Sequence, residues 1–300
     1  MDKSLQTAVL GPMRLPFLIL TPACILLGAA TAVWSGSELN FGYLLLALAG
    51  GLAAHISVNA LNEYDDFKSG LDLKTQPTPF SGGSGTLPQN PDKAHVALIT
   101  GVTALVVTIL IGVYFIKTKG WGLLPLGILG VVNVVVYTKF ATRSPVLCLI
   151  APGLGFGPFM VMGTDFILTG SYSWTSLVAS LVPFFLVSDL LLLNQFPDVE
   201  PDHSIGRRHI FIVWGRKTAV WIYALFLAAA FVTVIIGYVL KLFPGLSLIA
   251  LAAVVIAVPT VRGAAKYADN ISKLIPYMGK NVVINILTPV LLAIGLFFGR

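Results

Sequence analysis

Long apolar runs separated by short polar stretches make up most of this chain. Runs of about 17–25 residues, wound as helices, cross the roughly 30 Å of hydrocarbon in a bilayer. Nine such runs lie near residues 14–34, 41–64, 94–116, 121–139, 146–168, 173–195, 218–240, 243–262 and 281–299. They predict an all-α polytopic membrane protein of about nine transmembrane helices, forming one domain over residues 1–300. The polar stretches are unequal. Residues 65–93 and 196–217 are long and fall on the same side, whereas most connections on the other side are short. Length on one face of a bundle points to function there, so a cap of loops is expected over a central cavity.

Polar positions inside the runs sharpen this picture. His55, Asn59, Asn62 and Asp66 are spaced 4, 3 and 4 apart, which puts them on one helical face. A polar stripe on a membrane helix belongs against the bundle interior or a water-filled cavity. The fourth run places Asn133 and Tyr137 on a common face, and the sixth carries Asp189 beside four leucines and ends in Asn194. An intramembrane Asp of that kind serves either a site or a hydrogen bond between helices.

Composition agrees. The 300 residues are 56% hydrophobic and only 11% charged, with mean hydropathy +0.88; soluble domains carry about 25% charged residues. With the N-terminus on the cytoplasmic side, 15 of the 19 Lys and Arg face the cytoplasm. Only Lys117, Lys119, Lys241 and Arg300 face outward. The positive-inside rule therefore puts the N-terminus and both long loops in the cytoplasm, in the plasma (inner) membrane. The net charge of +6 is topogenic. No interleaving of basic and aromatic residues points to nucleic acid. Cys24 and Cys148 both lie in spans, which argues against a disulfide framework.

The scarce carboxylates are clustered. More than half of the 13 acidic residues sit in Asn62-Glu63-Tyr64-Asp65-Asp66 with Asp72, and in Asn194-Gln195-Phe196-Pro197-Asp198 with Glu200 and Asp202. Each cluster reads Asn, then Asp four residues on, then a second Asp six or four beyond. Hard oxygen ligands of this type suit Mg²⁺, which takes one or two carboxylates plus waters and substrate phosphates. Two facing clusters could hold two ions around one diphosphate, with Lys68, Lys74, Arg207 and Arg208 balancing phosphate charge. A second phosphate-compatible feature is the Gly- and Pro-rich segment Gln76 to Gly85, a turn-rich lid or a plain linker. Intramembrane Asp and Asn also suit a transporter, but transporter sites lie near the midplane, and these clusters lie at one face.

The combination resembles the UbiA superfamily of intramembrane aromatic prenyltransferases, over essentially the whole chain. Asn62, Asp66 and Asp72 are similar to the longer form of its first motif, and Asn194, Asp198 and Asp202 to its second. Gly206-Arg207-Arg208 looks like the basic segment that follows, and Tyr137-Thr138 like a Tyr-Ser/Thr pair before a basic loop. The chain departs in having Glu63 where Asp is usual, and Pro77-Thr78-Pro79-Phe80 where many members have Asn-Arg-Pro-Leu. That leaves pyrophosphate to Lys68, Lys74 or Arg143. The resemblance implies transfer of a polyprenyl chain from its diphosphate to an aromatic acceptor in the bilayer. It also implies Mg²⁺ on the six Asn and Asp residues, and Asn59, Tyr137 and Asp189 at the acceptor. The Asp72 spacing and the Pro79-Phe80-Ser81-Gly82-Gly83 loop look most like the 1,4-dihydroxy-2-naphthoate branch of menaquinone biosynthesis. Alternatives are 4-hydroxybenzoate, haem farnesylation and glycerolipid prenylation.

Overall fold

The computed structural model describes residues 3–299; Arg300 and the side chain of Lys3, both counted in the charge asymmetry, lie outside the described residues. The described chain is helical throughout, with no strand. A short helix α1 (Lys3–Met13) precedes α2 (Leu15–Trp34), α3 (Phe41–Lys68), α4 (Pro91–Lys119) and α5 (Trp121–Val136). Then come α6 (Pro145–Thr169), α7 (Trp174–Asn194), α8 (Ile210–Val239), α9 (Gly245–Tyr267) and α10 (Ile271–Phe298). Eight of these are long and apolar enough to cross a membrane, and α5 is a ninth, shorter apolar helix. The nine expected spans are all present, with shifted ends. The last begins ten residues before its predicted start because Lys273 and Lys280 break the apolar run without breaking the helix. Helix α8 starts early and is interrupted at Gly215, whose φ of 77° and ψ of 168° are far from helical.

The 28 residues of α3, at about 1.5 Å each, make a rod of roughly 42 Å, longer than the hydrocarbon it crosses. Its last turns therefore emerge at the loop-rich end and carry Asn62, Glu63 and Asp66 to the interface. Asn40 caps its start by accepting the Tyr43 N–H at 2.9 Å, which fixes where the rod begins.

The bundle is lopsided. Helix α7 is the most buried of the eight helices long enough to cross a membrane, and α2, α8, α9 and α10 join it in one continuous apolar core. Helices α4 and α5 stand at the periphery, with Leu110, Leu129 and Val135 exposed and away from the cavity lining. Small residues let the core helices approach. A Cβ on Gly157 of α6 would come within 2.4 Å of the Ser180 carbonyl of α7, and one on Gly153 within 2.3 Å of the Phe184 carbonyl. Close backbone approach of this kind is how membrane helices gain packing energy when lipid is as apolar as leucine. Downstream of Gly153, α6 widens into a π-helical stretch, Gly155–Met162, around Pro158, which has no N–H to give. The widened turn brings Phe156 edge-on to His55, ring centroids 4.7 Å apart.

Gly157→Val is expected to lower stability by about 1–3 kcal/mol through overpacking against α7. Thermal unfolding in detergent measures this; an unchanged midpoint would mean that α6 and α7 do not touch at Gly157.

Candidate active site

Helices α2 to α7 enclose a cavity of about 620 Å³ whose polar mouth lies at the loop-rich end. The α3 stripe behaves as its spacing predicts: His55, Asn59, Asn62 and Asp66 all line the cavity. Deeper in, the wall is apolar and comes from α4, α5 and α6. Ile109 and Val113 of α4, with Ile128 and Val132 of α5, line the cavity and keep much of their surface uncovered. This wall is the thinnest part of the bundle.

The two acidic clusters meet at the mouth. Asp66 and Asp72 approach from the end of α3 and its loop, and Asn194, Asp198 and Asp202 from the end of α7 and the short helix Val199–Ser204. Arg207 lies between them. Its guanidinium donates to Asp202 Oδ1 at 2.9 Å and to Asp66 Oδ1 through its other terminal nitrogen. His209 Nε2 stands 3.3 Å from Asp202 Oδ2. The chain turns back here because Gly206 takes a φ of 84°, a conformation open to glycine without strain. The Arg207 N–H closes on the Asp202 carbonyl at 3.1 Å, and the Arg208 N–H on the Thr142 carbonyl at 2.9 Å.

Among the described residues, no three His, Cys, Asp or Glu side chains converge as a ready-made metal shell. The fit to a hard cation rests on unpartnered oxygens. Asp72 Oδ2 and Asn194 Oδ1 are buried and have no hydrogen-bond partner, which is costly unless something fills the gap. Asp198 precedes a helix without capping it, and its carboxylate takes the Gly82 backbone N–H instead. This oxygen set matches Mg²⁺, which needs few protein ligands when waters and phosphates supply the rest.

The lid over the mouth is built, not a loose linker. Glu63, fully buried in α3, accepts the Ser84 N–H at 2.9 and 3.1 Å and also the Ser84 hydroxyl. Its second neighbour is Arg14, with Nε at 3.5 Å. Thr78 and Ser81 share a hydroxyl bond of 2.9 Å that closes the preceding turn. A second, more open hollow of about 510 Å³ lies between α1 and this lid and shares Arg14, Phe17, Phe80, Ser81 and Gly83 with the main cavity.

Several expected residues lie elsewhere. Lys68 and Arg143 are exposed and do not line the cavity. Lys68 sits over the Tyr64 ring, 5.8 Å from its centroid. Lys74 is exposed and donates to Ser204 Oγ at 3.1 Å, tying the first loop to the second. Arg208 is exposed and contributes only its backbone. Asp189 is fully buried, unpartnered at both oxygens, and absent from the cavity wall. One residue along α7 turns a side chain by about 100°, enough to send Asp189 away while Leu190 faces in. Asn59 and Tyr137 do line the cavity; Asn59 Nδ2 donates to the Met13 carbonyl at 3.0 Å and Asn62 Nδ2 to Thr138 Oγ1 at 3.3 Å. Asp65 pairs at the surface with Lys139, 3.7 Å away. Sequence reasoning gave no role to Arg14 or His209, which only the rarity of charge in such a chain marked, and read Glu63 as no more than a departure within the first acidic cluster.

Burial pushes the Asp72 carboxyl up to about 8, reinforced by the negative charges of Glu63 and Asp66. Burial likewise lifts Asp198 to about 7, with Asp202 adding to the shift. Folding therefore favours their protonated forms, so stability falls as pH rises from about 4 toward 8 and these groups are forced to ionise. In EDTA the thermal midpoint should drop from pH 6 to pH 8, and Asp72→Asn should flatten that drop. A midpoint that rises with pH, unaltered in the variant, would contradict the buried placement of these groups.

The comparisons with known proteins agree with this geometry. The chain is 28% identical over 217 residues to the 1,4-dihydroxy-2-naphthoate octaprenyltransferase of Bacillus subtilis, covering 70% of this chain and 67% of the relative. Among solved structures, a digeranylgeranylglyceryl phosphate synthase superposes with a TM-score of 0.68 at 14% identity, over 98% of this chain and 99% of the other. A UbiA homologue from Archaeoglobus fulgidus bound to DMAPP and Mg²⁺ superposes with a TM-score of 0.59 at 14% identity, over 94% and 98%. These establish a shared fold. Residues 21–273 match the UbiA prenyltransferase family, and the chain belongs to it, as a multi-pass membrane prenyltransferase.

Proposed function

We propose that this chain transfers a polyprenyl group from its diphosphate to 1,4-dihydroxy-2-naphthoate, with Mg²⁺, and releases diphosphate. The observation that carries this reading is the meeting of two acidic motifs at the mouth of an apolar cavity, with Asp72 Oδ2 and Asn194 Oδ1 unpartnered. The acceptor follows the naphthoate relative, and the donor and metal follow the ligands of the Archaeoglobus homologue. The alternative acceptor is 4-hydroxybenzoate.

Asn62, Asp66, Asp72, Asn194, Asp198 and Asp202 would hold two Mg²⁺ ions. Bound there, Mg²⁺ neutralises the diphosphate and makes it a better leaving group. Arg207, already fixed between Asp66 and Asp202, adds a planar cation for phosphate oxygens. The donor C–O bond breaks with its electron pair going to diphosphate. The apolar wall of α4, α5 and α6 keeps water from the allylic cation. The electron-rich ring then forms the new C–C bond and loses CO₂ or a proton. The thin wall of α4 and α5 is where a long product tail would reach lipid. Arg14 is the second guanidinium of the mouth and is only loosely paired, with Nε lacking a hydrogen bond. It faces the open hollow under α1, a route for a water-soluble aromatic acid, whose carboxylate it would meet. The N-terminus and the site face the cytoplasm of a plasma membrane in this reading.

The test is product formation by purified protein in detergent, with labelled geranylgeranyl or farnesyl diphosphate and dihydroxynaphthoate or 4-hydroxybenzoate in parallel, with and without EDTA. Prenylated naphthoate that vanishes in EDTA is the expected result. Asp66→Ala and Asp198→Ala should each cost at least about a hundredfold in kcat/KM, and retained turnover in both would sink the metal assignment. Arg14→Gln should raise KM for the acceptor by about tenfold, one charge-assisted contact, and leave KM for the donor unmoved. An equal rise in both would remove Arg14 from the acceptor site.

A further inference from the structure

Charge at the mouth leaves a gap in the diphosphate site. Lys68, Lys74 and Arg143 are all outside the cavity wall, and Arg207 is already shared between two carboxylates. Further donors to phosphate oxygens must come from somewhere else. Gly82 and Gly83 line the cavity and take φ of 81° and 75° in succession. Positive φ at two successive positions is open to glycine without strain, and the missing side chains let the turn's backbone approach an anion closely. The pair is wedged between the two acidic motifs. A Cβ on Gly83 would come within 2.9 Å of Asp72 Oδ1, and the Gly82 N–H is engaged by the Asp198 carboxylate, which leaves Gly83 as the donor of the pair. The Gly83 N–H has no hydrogen-bond partner among the described residues. Beside it, Asp72 Oδ2 is buried and unpartnered too. An unused donor next to an unused acceptor is what a metal-bound phosphate would satisfy: oxygen to the N–H, metal to the carboxylate.

We propose that the Gly82–Gly83 backbone is a diphosphate cradle, and that Glu63 is the positioning residue that holds it in place. Glu63 belongs to the first acidic cluster by sequence, yet both of its oxygens are turned to Ser84, the residue after the cradle. Its side chain is one carbon longer than aspartate, which lets a residue fixed in α3 reach the lid backbone. This rests on the diphosphate-donor reading given above, and the experiment separates the two.

Inorganic diphosphate is titrated into the purified full-length protein at saturating Mg²⁺ by calorimetry, and Mg²⁺ alone is titrated separately. Wild type should bind both, and amide hydrogen exchange over residues 78–86 should slow when diphosphate is added. Gly83→Ala, whose Cβ would press on Asp72 Oδ1, should weaken diphosphate and Mg²⁺ binding alike. Ser84→Ala, which loosens the anchor of the cradle, should weaken diphosphate by at least about tenfold with Mg²⁺ binding unchanged. Glu63→Gln should behave in the same direction. If Glu63→Gln instead weakens Mg²⁺ binding, Glu63 is a metal ligand and the proposed role is wrong. Wild-type diphosphate affinity in Gly83→Ala and Ser84→Ala overturns the cradle alone, as does unchanged exchange over 78–86. Failure of wild type to bind diphosphate at all overturns the donor reading and the cradle with it.

Discussion

Everything at the mouth depends on how buried carboxylates are kept from repelling one another. Asp66, Asp72 and Asp202 are each buried, at the end of a bundle sheathed in hydrocarbon. Carboxylates so placed must be paired, protonated or metal-bound, because uncompensated buried charge costs several kcal/mol. Without metal, Arg207 supplies the pairing and joins a carboxylate of α3 to one beyond α7. The same contact closes the cavity at its polar end and sets the distance between the two motifs. Breaking one partner would leave the other two buried charges exposed to each other, so the ion bridge is both a scaffold and a placeholder for stronger cations.

The opposite end of the bundle solves a related problem without titratable chemistry at the surface. Asp165 of α6 is fully buried, and it accepts the Thr31 hydroxyl at 2.8 Å and the Ser173 hydroxyl at 3.1 Å. That ties α2, α6 and the turn before α7 together where small residues already bring the backbones close. In the core, Tyr223 of α8 donates to Asn281 Oδ1 of α10 at 3.1 Å. Polar contacts of this kind between membrane helices contribute modestly, about 0.6 kcal/mol each on average, but they fix rotation about the helix axis. The helices that carry them, α2, α6, α7, α8 and α10, form the rigid side of the molecule.

Helix number, the α3 stripe and the convergence of the two motifs were legible in the sequence because each depends on spacing along a single helix. Periods of 3.6 residues and 30 Å of hydrocarbon suffice for that. Long-range partners were not legible. Lys68 and Lys74 are near the first motif in sequence, but the turn at Ser69 and Gly70 leaves both side chains exposed. Asp189 looked functional because it is costly, and the cost is real, but it falls on the face of α7 that turns from the cavity. Glu63 looked like a mild departure from the family pattern, whereas its added length reaches a lid residue 21 positions away. Arg14 was one more basic residue at a helix end until the fold set it beside Glu63.

The division between a well-packed side and a thin side suits the proposed donor. A polyprenyl tail would be too long for a closed pocket in a bundle of this size, so one wall would share its apolar surface with lipid. Helices α4 and α5 meet that need. They are the least buried, and Gly112 and Gly127, which line the cavity, meet no neighbouring atoms on the side where a Cβ would stand. Filling that wall would add packing energy and close the cavity. The acidic mouth, by contrast, gains nothing from openness, since water there would screen the charges on which leaving-group stabilisation depends. A tight lid over the polar end and a loose wall along the apolar end are therefore one solution to a substrate that is ionic at one end and lipid at the other.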